Sequence, residues 1–217
     1  FEKIRDIYEV RTKSVMFTTS HLSKYAIAYD LVAAWTNIFG DVVETDWFYG
    51  DVAYAVQHGL FSGTSDTIFA PQMSMTRGML VTVLGRLAEV DTAKYSGASF
   101  SDVNTSMYYA PYIKWAAELG IINGIGSNMF APDTVISRQD LCVILDRYAK
   151  KMDIDLPKEN ELLIFTDEDD ISDYAKEAIG TIQRAGIVNG KDNNAFDPKG
   201  SATRAEVSAM LHRFLEK

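Results

Sequence analysis

One pattern occurs three times along this chain, and it constrains the fold more than any local feature. The copies open on FGDV (39–42), FSDV (100–103) and FTDE (165–168), continue through FSGTSDTIFAP, INGIGSNMFAP and VNGKDNNAFDP, and begin their last helices at TRGM, SRQD and TRAE. Arg77, Arg138 and Arg204 stand 61 and 66 residues apart. The same two intervals separate Gly63, Gly124 and Gly190, then Phe69, Phe130 and Phe196, then Pro71, Pro132 and Pro198. Such a period marks one supersecondary unit used repeatedly. A pair of helices and a loop cannot bury much surface alone, so the copies must share a core, either as a closed pseudo-threefold arrangement or as a short solenoid.

Within each copy the local chemistry predicts a helix, a loop and a second helix. The first helix carries Trp47, Val52 and Ala55, or Tyr108, Ile113 and Ala116, or Tyr174, Ile179 and Ile182, and stops at Gly59, Gly120 or Gly186. An apolar residue follows each glycine, as a left-handed glycine cap requires. The phenylalanine of each F-x-P is expected to plug the core beneath the loop, with proline fixing the approach to the second helix. In that helix apolar residues recur at i, i+3, i+4 and i+7, as in Leu80, Val83, Leu84 and Leu87, which predicts one buried face. Ser137 with Asp140 and Thr203 with Glu206 have capping-box spacing, whereas Thr76 is followed by Met79 and lacks the acid.

The fold class is therefore mainly α, with copies bounded at 31–98, 99–163 and 164–217. Residues 1–30 differ in kind: SVMFTTSHL alternates, and YAIAYD is strand-like, so a short β-strand or hairpin from an upstream β-rich domain is expected there. The chain opens on Phe1, without methionine, and is expected to be part of a longer, processed protein.

Composition removes several function classes. A net charge of −9 and a pI near 4.8 repel nucleic acid and anionic membranes, so an anionic ligand would have to be captured locally. No run approaches the 18 or so apolar residues of a membrane span. Cys142, the single cysteine, lies in the apolar run DLCVILDRY and reads as core. No nucleophile–base motif is present, and His21, His58 and His212 fall at unrelated positions of their units, so no catalytic residue is assigned and no cofactor is called for. The acidic run TDEDDISD fails as a calcium loop: counted from Asp167, Ser172 holds the glycine position and Ala178 the glutamate position, and no metal site is assigned.

The tripled F-x-D, the glycine-capped turn, F-x-P and the T-R-A-E-like start together resemble the S-layer homology domain family, over about residues 39–217. The resemblance implies a three-pronged spindle with one helix of each copy in a central bundle. It implies non-covalent attachment of an exported protein to secondary cell-wall polysaccharide on peptidoglycan, at the extracellular bacterial surface, and allows self-association in a surface layer. The ligand expected is an anionic terminal sugar such as pyruvylated N-acetylmannosamine, held in grooves between copies. Carried over, Arg77, Arg138 and Arg204 are the anion binders, accompanied by Asp41, Asp102 and Asp167, by Trp47, Tyr108 and Tyr174, and by Gly63, Gly124 and Gly190. Copy one departs with T-R-G-M, copy two with S-R-Q-D and copy three with F-T-D-E-D-D, so unequal binding by the three grooves is expected.

A cation in the first turn faces a helix's own partial positive charge, so at least one of the three arginines is expected to meet an anion, the plainer role of each being a surface salt bridge or a hydrogen bond to a nearby carbonyl. Arg138 in particular is expected in a groove rather than in a salt bridge. Plainer roles stand beside these: the aspartates as caps, the aromatics as core, the glycines as backbone turns. Two rival functions also remain, a helical repeat scaffold for binding protein, and the anchor portion of a larger surface enzyme.

Overall fold

The computed structural model describes residues 6–9, 14–17 and 35–217. The chain divides into two compact units, Phe1–Asp30 and Leu31–Lys217. In the first, β1 (Asp6–Glu9) pairs antiparallel with β2 (Ser14–Phe17), Asp6 opposite Phe17 and Glu9 opposite Ser14. The YAIAYD stretch lies outside the described residues.

Among the described residues the second unit holds six α-helices: α1 (Tyr49–Gln57), α2 (Arg77–Leu87), α3 (Ala110–Glu118), α4 (Arg138–Lys151), α5 (Asp173–Arg184) and α6 (Arg204–Leu215). The first helix of each copy ends as the sequence predicts. Gly59, Gly120 and Gly186 have φ of 68°, 71° and 71°. The N–H of the apolar residue after each glycine reaches back to the last turn, Leu60 to Ala55 (2.9 Å), Ile121 to Ala116 (2.8 Å) and Ile187 to Ile182 (3.1 Å), a Schellman closure. The second helices start on side-chain caps. Thr76, Ser137 and Thr203 each accept the N–H three residues on, and only Thr203 with Glu206 completes the reciprocal box. Asp140 is too short to reach back, and its carboxylate instead accepts the Ser137 hydroxyl at 2.8 Å.

Helix contacts close a ring. α2 packs on α3, α4 on α5, and α6 returns to α1. Main-chain bonds follow the same cycle: Arg77 N–H donates to the Thr134 carbonyl (3.0 Å), Arg138 N–H to Gly200 (2.9 Å) and Arg204 N–H to Met73 (2.9 Å). A solenoid would leave its first and last copies apart, so the closed pseudo-threefold form is the one adopted.

The core explains a departure from the single buried face predicted for the second helices. In α2 the consecutive residues Leu80, Val81, Thr82, Val83, Leu84 and Gly85 are all buried, and α4 buries Leu141 through Asp146. These helices lie at the middle of the ring and are covered on several sides, whereas α1 buries only Val52, Ala53 and Ala55. One apolar cluster runs through all three copies, with Phe69, Phe130 and Phe196 fully buried beneath their loops.

Candidate functional site

The residue that organises each groove is the F-x-P phenylalanine, because both of its main-chain polar groups are claimed by charged side chains. The F-x-D aspartate of the same copy takes two N–H groups in parallel. Asp41 accepts from Phe69 (2.8 Å) and Ala70 (2.7 Å), Asp102 from Phe130 (2.8 Å) and Ala131 (2.7 Å), and Asp167 from Phe196 (2.7 Å) and Asp197 (2.7 Å). The aspartates therefore clamp the loop, and the reading of them as helix caps is corrected. The clamp holds a left-handed residue between Phe and Pro, with φ of 59° at Ala70, 57° at Ala131 and 58° at Asp197. Burial raises the Asp102 carboxyl's pKa, but the Phe130 and Ala131 N–H donors, helped by Arg77, outweigh it and hold the group below its ordinary range.

An arginine from a different copy takes the phenylalanine carbonyl. Arg77 Nε donates to Phe130 (2.9 Å), Arg138 Nε to Phe196 (2.8 Å) and Arg204 Nε to Phe69 (2.8 Å). Each Nη2 reaches a second carbonyl of that loop, at Asn123 (3.2 Å), Asn189 (3.5 Å) and Ser62 (2.7 Å) respectively. The guanidinium carbons lie 4.5, 5.4 and 4.5 Å from the ring centroids of the same phenylalanines. With exposures of 9%, 5% and 7%, the three arginines are latches between copies, and Arg138 also lines a cavity. Arg138 departs from expectation: its Nη1 stands 3.7 Å from Glu206 Oε1, so it borders a groove and pairs with an acid together.

The remaining expected residues take distinct places. Trp47, Tyr108 and Tyr174 are 63%, 52% and 59% exposed, so they are not core. Trp47 and Tyr108 sit in turns two residues ahead of α1 and α3, not on the helices, while Tyr174 lies within α5. Gly63, Gly124 and Gly190 have no left-handed backbone. A Cβ at Gly63 would stand 2.8 Å from the Ile68 carbonyl, and one at Gly124 2.7 Å from that of Met129, so the loop's own fold demands them.

All three copies contribute to one groove. A cavity of about 270 Å³ is lined by Trp47 of copy one, Arg138 of copy two, and Gly190, Lys191, Glu206 and Arg213 of copy three. Equivalent residues stand near one another at the other two positions of the cycle: burial and Asp133 raise the Tyr108 phenol's pKa while Arg86 and Arg204 oppose them, and burial lowers that of Arg77 while Asp140 and Tyr174 oppose it. Arg213 has counterparts at Arg86 and Arg147, spaced by the same 61 and 66 residues. Extending the interval comparison nine residues beyond the T-R start would have revealed them. Arg86 donates to the Leu60 carbonyl (3.1 Å) and Arg213 to that of Ile187 (3.4 Å), which holds each beside the Schellman turn of its own copy.

The sequence pattern described as the S-layer homology domain matches residues 38–78, 99–142 and 164–208. An amylopullulanase of Thermoanaerobacterium thermosulfurigenes is 34% identical over 206 residues, 94% of this chain and 10% of that protein. A surface-layer 125 kDa protein of Lysinibacillus sphaericus is 29% identical over 85% of the chain and 16% of its own length. A cellulosome-anchoring protein of Acetivibrio thermocellus is 26% identical over 74% of the chain and 36% of its own length. The chain thus spans a minor part of each of these relatives.

Proposed function

The chain belongs to the S-layer homology domain family, whose place is the extracellular cell surface, and on that premise we propose that it anchors a larger protein by binding an anionic cell-wall polysaccharide between its copies. The observation that carries this reading is the cavity where Trp47, Arg138, Lys191 and Arg213 converge from three copies. An exposed indole offers a face to the apolar side of a sugar ring, and the cations offer a carboxylate charge-assisted hydrogen bonds in a partly water-excluded site. Binding, with no bond made or broken, is all that this arrangement needs to supply. The first rival, a scaffold for protein partners, relies on the extended concave face of an open array, which a closed ring lacks. The second is compatible with anchoring: relatives named as enzymes carry the matching segment as a small share of their length, so the cargo here is proposed to include such an enzyme.

The test is co-sedimentation with purified bacterial cell walls before and after removal of the secondary polymer. Arg138→Ala would break a latch between copies as well as a ligand contact, so the informative variants are the paired changes Trp47→Ala with Tyr108→Ala and Arg86→Gln with Arg213→Gln, which alter equivalent positions of the Arg138 and Arg204 grooves together. Each is expected to weaken wall binding about tenfold while leaving the thermal melt within a few degrees of the parent. Unchanged sedimentation of both variants, or full binding to walls stripped of the polymer, would sink the proposal.

A further inference from the structure

The three grooves carry the same arginine but different neighbours, and the difference ranks them. Two residues after each arginine the chain places Met79, Asp140 or Glu206. In the groove of Arg138, Glu206 already presents a carboxylate to the guanidinium at 3.7 Å, its other oxygen accepting the Thr203 N–H at 2.8 Å. In the groove of Arg77, Asp140 accepts the Tyr174 hydroxyl at 2.8 Å and partly offsets the burial of that arginine. A ligand carboxylate entering either groove meets a resident carboxylate first.

The third groove has none at this position. The equivalent residue is the half-buried Met79, and among the described residues Arg204 forms no ion pair although it is only 7% exposed. Its Nε and Nη2 are taken by the Phe69 and Ser62 carbonyls, and Arg86 adds a second positive charge nearby. Burial pushes the Arg204 guanidinium down to about 10, with Asp41 and Tyr108 opposing and Arg86 contributing to the fall. A desolvated cation with no carboxylate paired to it is where an anion gains most, because the cost of burying it has been met in folding.

Resting on the reading that the grooves hold an anionic wall glycan, we propose that the groove of Arg204, Arg86, Tyr108 and Met79 is the high-affinity site, and that Met79 determines this by leaving the carboxylate position open. The departure of copy one from the T-R-A-E pattern, which weakens its helix start, is on this reading what frees its groove for ligand.

The probe is pyruvylated N-acetylmannosamine, titrated calorimetrically into the full 217-residue chain. Met79→Glu is expected to weaken the tightest binding event about tenfold or more. Glu206→Gln and Asp140→Asn, which remove the resident charges and keep hydrogen-bonding side chains, are expected to leave that event within about twofold. Met79→Glu also gives Thr76 a capping-box partner, so its melt should equal or exceed the parent's, which separates lost affinity from lost fold. Tight binding by Met79→Glu within about twofold of a parent that binds the probe would overturn this ranking alone. A parent that bound neither the probe nor purified walls would overturn the anchoring reading itself.

Discussion

At the scale of single residues, the repeated aspartate and arginine act on one peptide from opposite sides. Asp102 takes the Ala131 N–H and Arg77 takes the Phe130 carbonyl of the same peptide group, so a fixed negative charge, a polarised peptide and a positive charge lie in series across the boundary between copies. Asp102→Asn keeps the shape and turns one acceptor oxygen into a donor facing an N–H. It is expected to lower stability by about 1 kcal/mol, the low end for such a loss because solvent screens an exposed carboxylate. The pH dependence has a definite sign. With the folded carboxyl titrating below the ordinary aspartate value of about 3.9, its contribution is complete above that value and is lost as pH falls through the lower folded pKa. Urea melts of parent and variant should therefore differ at pH 7 and converge in acid, and a gap that stayed constant from neutral to strongly acidic pH would refute the clamp. The sequence marked these residues as special without giving their partners, because main-chain carbonyls such as those of Phe130 and Asn123 carry no signature of residue type.

At the scale of helices and seams, what was local in origin was legible, and what joined distant segments was not. Glycine caps, Ser/Thr starts and the F-x-P plugs depend on a handful of neighbouring residues, and each stands where the sequence placed it. The seams do not share one chemistry. The same position of the second helix is Gly85 in α2, Asp146 in α4 and His212 in α6. Gly85 accommodates the Tyr112 ring of α3, Asp146 pairs within α4 with Lys150 (2.8 Å), which reaches Glu177 of α5 at 3.5 Å, and His212 Nδ1 lies 2.8 Å from Asp51 of α1. Repeat alignment flags the position, but its meaning depends on a partner known only from the fold. Two substitutions separate backbone from packing effects. Gly120→Ala has no backbone or fixed neighbour in reach of its new methyl, the nearest atom being 3.8 Å away on Lys151, so its cost is conformational, roughly 1 kcal/mol and about 2–4 °C in Tm. Gly85→Ala would improve helix propensity by about 1 kcal/mol, yet its methyl would collide with Tyr112. A net loss of stability is expected, partly recovered when Tyr112→Ala is added, and calorimetry showing Gly85→Ala as stabilising would exclude the tight seam.

At the scale of the whole unit, ring closure makes the copies mutually dependent. Removing residues 164–217 deletes α5 and α6, which leaves α2 on α3 as the one seam intact and uncovers α1 and α4. Residues 31–163 alone are expected to show no cooperative melt by circular dichroism, whereas residues 31–217 should unfold in one transition with equal calorimetric and van't Hoff enthalpies. A cooperative melt of the two-copy fragment would mean that copies fold as separate units. The sequence is compatible with ring and solenoid alike, because both satisfy the same intervals and apolar spacing. The deciding bonds run from Arg204 to Met73 and from Ala205 to Pro71, between residues more than half the chain apart. That same closure governs how the unit bears a load. In a linear stack, a tug on an end copy has one seam to peel. Here the first copy is gripped by α3 on one side and α6 on the other, so traction entering beside Trp35 is divided between two seams, and detachment must break both together rather than unzip them in turn.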